Sequence, residues 1–335
     1  MRTLPLLASL AISIAALPLA AQTPAVPASS SSNTTTVASG AGNPPAPNLL
    51  GLPPTISPDT KAQKLAGGFK FTEGATCAPN GDVYFVDQPN DRIMKWSVAD
   101  GKLSVFLQPS GYSNGQYFDA HGNLISCADE KNELWSITPD GKHTVLVTNY
   151  QGKDLNGPND VWVRPDGGMY LTDPFYRRTW WDHTDKQQDA EAVYYLTPDH
   201  KTLTRVDGDY VKPNGIVGTP DGKTLYVSDI NGHKTWRYDI QPDGSLKNRT
   251  LICSLGSDGM TLDDHGNLYM SVSLRHAKGV TVVNTASGQT IGFIPLAEAP
   301  ANMCFAGPDK QTLYICARTG FYCIKTNVKG ANAAK

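Results

Sequence analysis

The sequence lacks a charge excess of either sign and lacks the cysteine spacing of zinc sites. Its 29 Lys and Arg residues nearly cancel its 31 Asp and Glu residues, giving a net charge of −2. Without a basic stripe, nucleic acid is disfavoured as a partner. The six cysteines contain no Cys-x-x-Cys pair and no cysteine–histidine spacing that would indicate zinc. The 40% of hydrophobic residues is nevertheless ample for a large core.

The beginning of the chain differs in composition from the rest. Residues 1–21 combine Arg2, an apolar run and small residues at its end, which is typical of a secretory signal peptide. The run is short for a membrane span, so we expect an exported protein, periplasmic or secreted, with no span after signal removal. Residues 22–60 are rich in Ser, Thr and Pro and predict a disordered linker. The folded domain is expected over 61–328, followed by a tail at 329–335.

One pattern recurs along the folded part: a polar head residue, a strand, a tight turn and a second strand. In one copy, Asn214 opens a β-branched strand, Pro-Asp-Gly forms the turn, and a Leu-Tyr-Val strand leads to Asp229. The six heads are Glu73, Asn114, Asn159, Asn214, Asp258 and Asn302, spaced by 41, 45, 55, 44 and 44 residues. Such a period predicts an all-β fold, a six-bladed β-propeller with four-stranded blades. A β-sandwich with repeated turns is the alternative.

The heads should converge at one end of the central channel, because each stands where an innermost strand begins. Two carboxylates and four amides would then form a ring of hard oxygen ligands, which suits Ca²⁺ best. Mn²⁺, Mg²⁺ and Zn²⁺ are alternatives. Each head alone is a weak signal, since Asn and Asp are common turn residues. A ring of buried carboxylates without a cation would be costly, so one divalent cation is predicted in the channel.

The loops after the second strands should surround this ring. Four of them begin with a carboxylate: Asp87, Asp129, Asp173 and Asp229. The third repeat is about ten residues longer than the others, and its excess lies between Asp173 and Glu191. This loop carries Phe175, Tyr176, Trp180 and Trp181. It predicts a lid or specificity wall, with a self-packed loop as the alternative. Asp129, Asp173 and Tyr176 are candidate substrate-binding residues.

Other motifs carry less weight. Gly111-Tyr-Ser-Asn-Gly115 matches a nucleophile elbow, but no helix is indicated after it. Of the histidines, only His183, His233 and His276 fall on predicted mouth loops, and none is assigned a role. The last hairpin should place two cysteines opposite each other, either as a disulfide or as two buried thiols. These are Cys316 and Cys323.

Several of these segments together resemble the gluconolactonase/SMP-30/luciferin-regenerating-enzyme family. They are Glu73-Gly, Leu155-Asn-Gly-Pro-Asn159-Asp, Tyr170-Leu-Thr-Asp-Pro174, Pro213-Asn214-Gly and Ser257-Asp258-Gly-Met. The similarity covers residues 64–325. It implies a six-bladed propeller with one divalent cation in the channel, and lactone hydrolysis as the usual activity.

The resemblance also implies roles for individual residues. Glu73, Asn214 and Asp258 match the direct metal ligands, and Asn159 matches a further amide at the metal. Asp258 also stands at the general-base position. Asn114, which matches a pocket position, and Asn302 are candidate substrate-binding residues. The chain departs from bacterial members at Cys127-Ala128-Asp129, where they read Cys-Glu-His, and from animal members at Gly157, where they carry Arg.

The expected function is metal-dependent hydrolysis of a sugar-type or other small lactone. The cation would polarise the carbonyl, and Asp258 would activate water. A first alternative is a non-catalytic propeller that binds a ligand or partner around a structural cation. A second is an aryl-esterase or phosphotriesterase of the paraoxonase type, which requires a pair of histidines beside the metal.

Overall fold

The computed structural model of the protein describes residues 50–274 and 277–331. The predicted signal peptide and most of the predicted linker lie outside the described residues. Apart from a 3-10 turn at Gln88–Asn90, the regular structure described is β-strand. Within these ranges, no helix has the length and apolar character needed to cross a membrane.

Six four-stranded antiparallel sheets form the domain. The first strands of adjacent sheets contact one another in a closed cycle around a central channel. Each sheet is therefore one blade, and in blades 1 to 5 the strands follow in chain order from the channel outward. The predicted fold class, a six-bladed β-propeller, is confirmed. We call the end of the channel where the innermost strands begin the mouth.

The strand bounds of blades 1 to 5 are as follows. Blade 1 contains Thr72–Cys77, Val83–Asp87, Arg92–Ser97 and Lys102–Leu107. Blade 2 contains Ser113–Phe118, Leu124–Ala128, Glu133–Ile137 and His143–Val147, followed by a small hairpin, Asn149–Tyr150 with Lys153–Asp154. Blade 3 contains Val161–Val163, Met169–Asp173, Ala192–Leu196 and Leu203–Asp207. Blade 4 contains Pro213–Gly218, Thr224–Asp229, Lys234–Ile240 and Leu246–Cys253. Blade 5 contains Met260–Leu262, Asn267–Met270, Gly279–Asn284 and Thr290–Pro295.

Blade 6 closes the ring with strands from both ends of the domain. Its three inner strands are Asn302–Ala306, Thr312–Ala317 and Gly320–Lys325, and its outermost strand is Gln63–Gly67. Lys64 pairs with Tyr322 in this register. The first strand of the domain therefore completes the last blade, a long-range pairing that the repeated heads do not encode.

The core lies between neighbouring blades. The innermost strand Thr72–Cys77 is buried at every position, whereas most of the outer strand Lys102–Leu107 is exposed. Phe85 of blade 1 stacks on Phe321 of blade 6, with 4.3 Å between their ring centroids. Burying side chains of this size contributes about 1.5–3 kcal/mol each. Blade-to-blade packing therefore holds the inner strands, and with them the head residues, in fixed positions.

The predicted linker ends earlier than residue 60. Ile56 is only 3% exposed and packs in the cluster around Tyr269 and Val280. The hydroxyl groups of Thr55 and Tyr269 are hydrogen-bonded at 2.6 Å. This part of the chain thus covers blade 5, and the prediction of disorder up to residue 60 is wrong for it. Composition averages over a window and cannot recognise a single anchoring residue such as Ile56.

The last two cysteines do not lie opposite each other as predicted, and of the two alternatives the structure shows free thiols. In the last hairpin, Cys316 pairs with Phe321, and Cys323 pairs with Tyr314. All six cysteines lie within the described ranges and are free thiols. The turn is centred one residue earlier than the prediction assumed, because Arg318 adopts a left-handed conformation with φ of 50°.

Candidate functional site

The six head residues lie at the mouth, within two residues of the starts of their innermost strands. The Asn302 side-chain amide donates to Glu73 Oε1 at 3.2 Å, although the two residues belong to opposite ends of the domain sequence. Asn214 hydrogen-bonds to Asp258, and the charge of Asp258 acts on Glu73. Blades 1, 4, 5 and 6 therefore bring these four predicted site residues together.

Glycines that follow four of the heads allow the ring to be this tight. A Cβ added to Gly74 would lie 2.2 Å from the Asn114 carbonyl oxygen, and one added to Gly215 would lie 2.1 Å from that of Asp258. Gly115 approaches the backbone of Asn159 in the same way, and Gly259 approaches Asn302. Each of these glycines thus packs against the head of the next blade, where a larger residue could not fit.

Four oxygens of the ring have no hydrogen-bond partner among the described residues. They are Glu73 Oε2, Asn114 Oδ1, Asn159 Oδ1 and Asn214 Oδ1. All four are buried, and leaving such an atom unpaired costs about 1–3 kcal/mol. Each is a carboxylate or amide oxygen, the ligand type that hard divalent cations prefer. The donor set therefore fits a cation such as Ca²⁺.

Softer metals have less support from the residue types present. In the part of the chain that the structure describes, no group of three or more His, Cys, Asp and Glu side chains is arranged to hold a metal ion. His183 stacks on Trp181, and His233 is exposed. His276, the third predicted mouth histidine, lies outside the described residues.

The carboxyl groups of the ring have raised pKa values. Burial raises the pKa of Glu73 well above its usual range, and the negative charges of Asp258 and Asp160 add to this effect. Burial raises the pKa of Asp258 to about 6, against the lowering effects of the Asn214 hydrogen bond and of the Arg178 and Arg318 charges. The site is therefore short of positive charge close to these two carboxyls, which is the electrostatic condition that a cation would relieve.

Asp160 is a buried carboxyl that the sequence reasoning did not single out. Its carboxyl accepts the backbone N–H of Val161 at 2.9 Å and that of Ile216 at 3.4 Å. Burial raises its pKa to about 8. It lines a channel cavity of about 40 Å³ below the ring, together with Gln116 and Asn302. The sequence did contain a signal for it. Four of the other heads are followed by glycine, whereas Asn159 is followed by Asp160.

In three blades, the carboxylate at the end of the second strand has a structural role. Asp87 accepts the backbone N–H of Lys70, Asp229 accepts that of Lys212, and Asp173 accepts those of Asn156 and Gly157. In each case the bound loop leads into the innermost strand of the same blade. Both oxygens of Asp173 are used in this way, at 2.9 and 2.8 Å. The structure therefore gives Asp173 a positioning role, and its contact with a substrate stays a prediction.

Asp129 differs from this pattern because it stands one residue later. The second strand of blade 2 ends at Ala128, so the carboxylate follows the strand. Its Oδ2 accepts Arg178 Nε at 2.6 Å and Gln88 Nε2 at 3.3 Å. Burial raises the pKa of Asp129 to about 7, although Arg178 lowers it. Asp129 thus binds the long loop of blade 3 through Oδ2, whereas its buried Oδ1 has no hydrogen-bond partner among the described residues.

The long loop crosses from blade 3 to blade 2 at the mouth. The indole N–H groups of Trp180 and Trp181 donate to the Asp129 carbonyl at 3.3 and 2.5 Å. The Trp180 ring stacks on Tyr112, with centroids 4.2 Å apart. The four loop aromatics are half-buried. Part of this loop is therefore packed against the protein, as in the alternative to a lid or specificity wall.

Two predicted substrate-binding residues contact the metal-ligand candidates directly. The Asn214 side-chain amide donates to the Tyr176 hydroxyl at 3.0 Å, which places the end of the long loop against the ring. Asn302 accepts the Met303 N–H at 2.7 Å while it donates to Glu73. Asn302 therefore positions Glu73. Asn114 differs, because its buried Oδ1 has no hydrogen-bond partner among the described residues.

Fold and ring together define a six-bladed β-propeller with an oxygen-lined site at one end of its channel. The chain belongs to the SMP-30/gluconolactonase/LRE-like family, whose family model matches residues 71–319. The sequence-based identification of this family is therefore confirmed.

Two curated relatives and one solved structure illustrate the similarity. The gluconolactonase of Zymomonas mobilis is 29% identical over 301 residues, covering 81% of this chain and 83% of the relative. The diisopropyl-fluorophosphatase of Loligo vulgaris is 26% identical over 277 residues, covering 75% and 87%. The solved gluconolactonase of Xanthomonas campestris is 28% identical with a TM-score of 0.74, covering 82% of this chain and 95% of that one.

Proposed function

We propose that the protein is an exported, metal-dependent lactonase that opens a sugar-type or other small lactone. The observation that carries this proposal is the set of unpaired buried oxygens beside Asp258 at the mouth. The relatedness to gluconolactonases supports the lactone as the substrate class.

Glu73, Asn159, Asn214 and Asp258 would hold the cation, with Ca²⁺ as the preferred ion because every donor is oxygen. A bound divalent cation supplies Lewis-acid polarisation of the lactone carbonyl and stabilises the developing oxyanion. Asn302 keeps one oxygen of Glu73 occupied, which leaves Oε2 for the cation. The protein itself thus sets the direction of the donor atoms.

Asp258 would take the proton from the attacking water. Asp258 is a half-buried residue at the mouth, and burial raises the pKa of its carboxyl to about 6, which makes the carboxylate a stronger base than an exposed one. Asn214 hydrogen-bonds to Asp258 and to Tyr176, so that the base, a ligand candidate and the loop are fixed relative to each other. Asn114 and Tyr176 would orient the lactone, and the Trp180–Trp181 segment would exclude bulk water from one side.

The test is hydrolysis of a lactone panel followed by proton release. It compares metal-stripped protein, protein given Ca²⁺, Mn²⁺, Mg²⁺ or Zn²⁺, and Asp258→Ala with each ion. We expect turnover that a cation restores and that Asp258→Ala loses by at least about a hundredfold. A phosphotriester arm is included because of the diisopropyl-fluorophosphatase relative.

The outcomes separate the alternatives. Turnover of the phosphotriester alone would replace the lactonase proposal with the esterase one. Absence of turnover, in protein that a cation still stabilises against heat, would favour a binding propeller. Export is tested separately by fractionating cells that express the full chain, and retention in the cytoplasm would refute it.

A further inference from the structure

We propose that the site selects lactones that carry an oxyanion, such as a carboxylate or a phosphate, and that Arg178 binds this group. The inference rests on the proposed lactonase function and specifies the substrate class. Arg178 belongs to the long loop of blade 3, and Asp129 of blade 2 holds it at the mouth.

The contact with Asp129 fixes Arg178 but leaves its donor groups available. Only Nε donates to the carboxylate, at 2.6 Å, and among the described residues the two terminal nitrogens have no hydrogen-bond partner. The Arg178 side chain is 20% exposed, whereas that of Asp129 is 1% exposed. A guanidinium held through Nε presents two parallel N–H donors, the arrangement that binds a carboxylate or phosphate in bidentate fashion.

Two aromatic rings hold the guanidinium near the head residues. It lies over Tyr176, 5.4 Å from the ring centroid, and 5.6 Å from that of Trp180. Tyr176 in turn accepts the hydrogen bond from Asn214. Arg178 is also close enough to lower the pKa of Asp258. The free donors are therefore within reach of a small molecule bound at the predicted cation.

Two further cations near the mouth, Lys212 and Arg318, differ in their contacts. Lys212 donates to the Phe175 carbonyl at 2.5 Å and lies 3.7 Å from Glu191, so it supports the base of the loop. Arg318 is exposed on the last hairpin and lowers the pKa of Asp258 from the side of blade 6. Arg318 adds a positive charge on this side of the mouth, which favours the approach of an anionic substrate.

A second role for Arg178 would give a different result. If its donors bound the lactone carbonyl or a hydroxyl group, neutral and anionic lactones would depend on it equally. Only recognition of a charged substituent makes the effect of Arg178 depend on the charge of the substrate.

The experiment therefore uses matched lactones that differ in charge. Glucono-1,4-lactone and glucaro-1,4-lactone differ only in the alcohol or carboxylate at C6, and glucono-1,5-lactone is compared with 6-phosphoglucono-1,5-lactone. The variants are Arg178→Ala and Arg178→Lys in the full chain. Arg177→Ala is the control, because this neighbouring arginine is exposed and would lose the same charge.

We expect the wild type to prefer the anionic member of at least one pair, and the responsive pair identifies carboxylate or phosphate. Arg178→Ala should lower kcat/KM for that member by at least about tenfold and for the neutral member by less than about threefold. Arg178→Lys should recover only part of the loss because lysine cannot form the bidentate contact. Arg177→Ala should leave the preference unchanged.

Equal losses for both members of each pair, or a wild-type preference for the neutral members, would overturn the inference while the lactonase proposal stands. If no lactone is opened, the lactonase proposal fails, and calorimetry with the same lactone pairs, which then stay intact, decides the inference separately. Tighter binding of the anionic member of a pair that disappears in Arg178→Ala would retain the oxyanion site, and equal binding of the neutral and anionic members of both pairs would reject it.

Discussion

At the scale of single residues, a hydrogen bond from Asn302 orients the Glu73 carboxylate in the ring. Asn302 accepts the Met303 N–H through Oδ1, which leaves its amide N–H group to donate to Glu73. One oxygen of Glu73 is thereby occupied, and Oε2 remains unpaired. Asn302 is therefore a positioning residue, and its removal should affect cation binding through Glu73.

Replacing Asn302 by alanine should weaken Ca²⁺ binding by about tenfold, corresponding to about 1.4 kcal/mol for the lost orientation of Glu73. Calorimetric titration of metal-stripped protein measures this change. Asn327→Ala is the matched control, because Asn327 is exposed and, among the described residues, its side chain hydrogen-bonds only to Ser57. Unchanged affinity in Asn302→Ala would show that Glu73 is not oriented by this hydrogen bond.

At the scale of the elements, one carboxylate fastens the closing strand of the propeller. Glu298 accepts the Lys64 ammonium group at 2.8 Å, the Thr319 N–H at 2.8 Å and the Tyr322 hydroxyl at 2.6 Å. Burial raises the pKa of Glu298, but these hydrogen bonds outweigh it and lower the pKa to about 2. The ionised form therefore connects the strand Gln63–Gly67 to the last hairpin of blade 6.

Glu298→Gln should lower the free energy of unfolding by about 1–2 kcal/mol at neutral pH. Because the folded pKa lies below the unfolded value of about 4.3, the stabilisation is complete above that value and is lost toward about pH 2. Urea titrations of both proteins across this range should therefore converge. Glu130→Gln, at an exposed position, should show no such difference. If the difference in free energy of unfolding between wild type and Glu298→Gln did not change with pH, the effect would come from packing and not from the charge of Glu298.

At the scale of the whole molecule, the predicted cation would connect blades that the chain joins only through loops. Glu73, Asn159, Asn214 and Asp258 come from blades 1, 3, 4 and 5. A cation bound by all four would stabilise the closed ring of blades and relieve the desolvation of their unpaired oxygens. Ligand binding of this kind raises the stability of the complete fold.

Removal of divalent ions should lower the thermal unfolding midpoint, and added Ca²⁺ should restore it. At Ca²⁺ concentrations about a hundredfold above Kd, linkage predicts about 2.7 kcal/mol of stabilisation. Calorimetric scans with chelator, with Ca²⁺ and with Mg²⁺ provide the measurement. Glu73→Gln should abolish most of the Ca²⁺ effect. A midpoint that no cation changes would contradict the predicted metal centre.

The sequence by itself determined the architecture and the location of the site. Six heads at a regular period predicted six blades, because every repeat contains the same local pattern of paired strands and a turn. Because every innermost strand begins at the same end of the channel, the period also predicted that Glu73, Asn214 and Asp258 would meet. Asp160 escaped this reasoning because it is not a head.

Only the tertiary structure decided which partner each polar group finds. A shift of one residue separates Asp129, which binds Arg178, from Asp173, which holds a backbone loop. A turn centred one residue earlier than predicted likewise moves the two cysteines of the last hairpin two positions out of register. The closing strand and the buried end of the predicted linker depend on contacts between distant segments. Local pattern fixes the blades, whereas these partners follow from how blades and loops pack against one another.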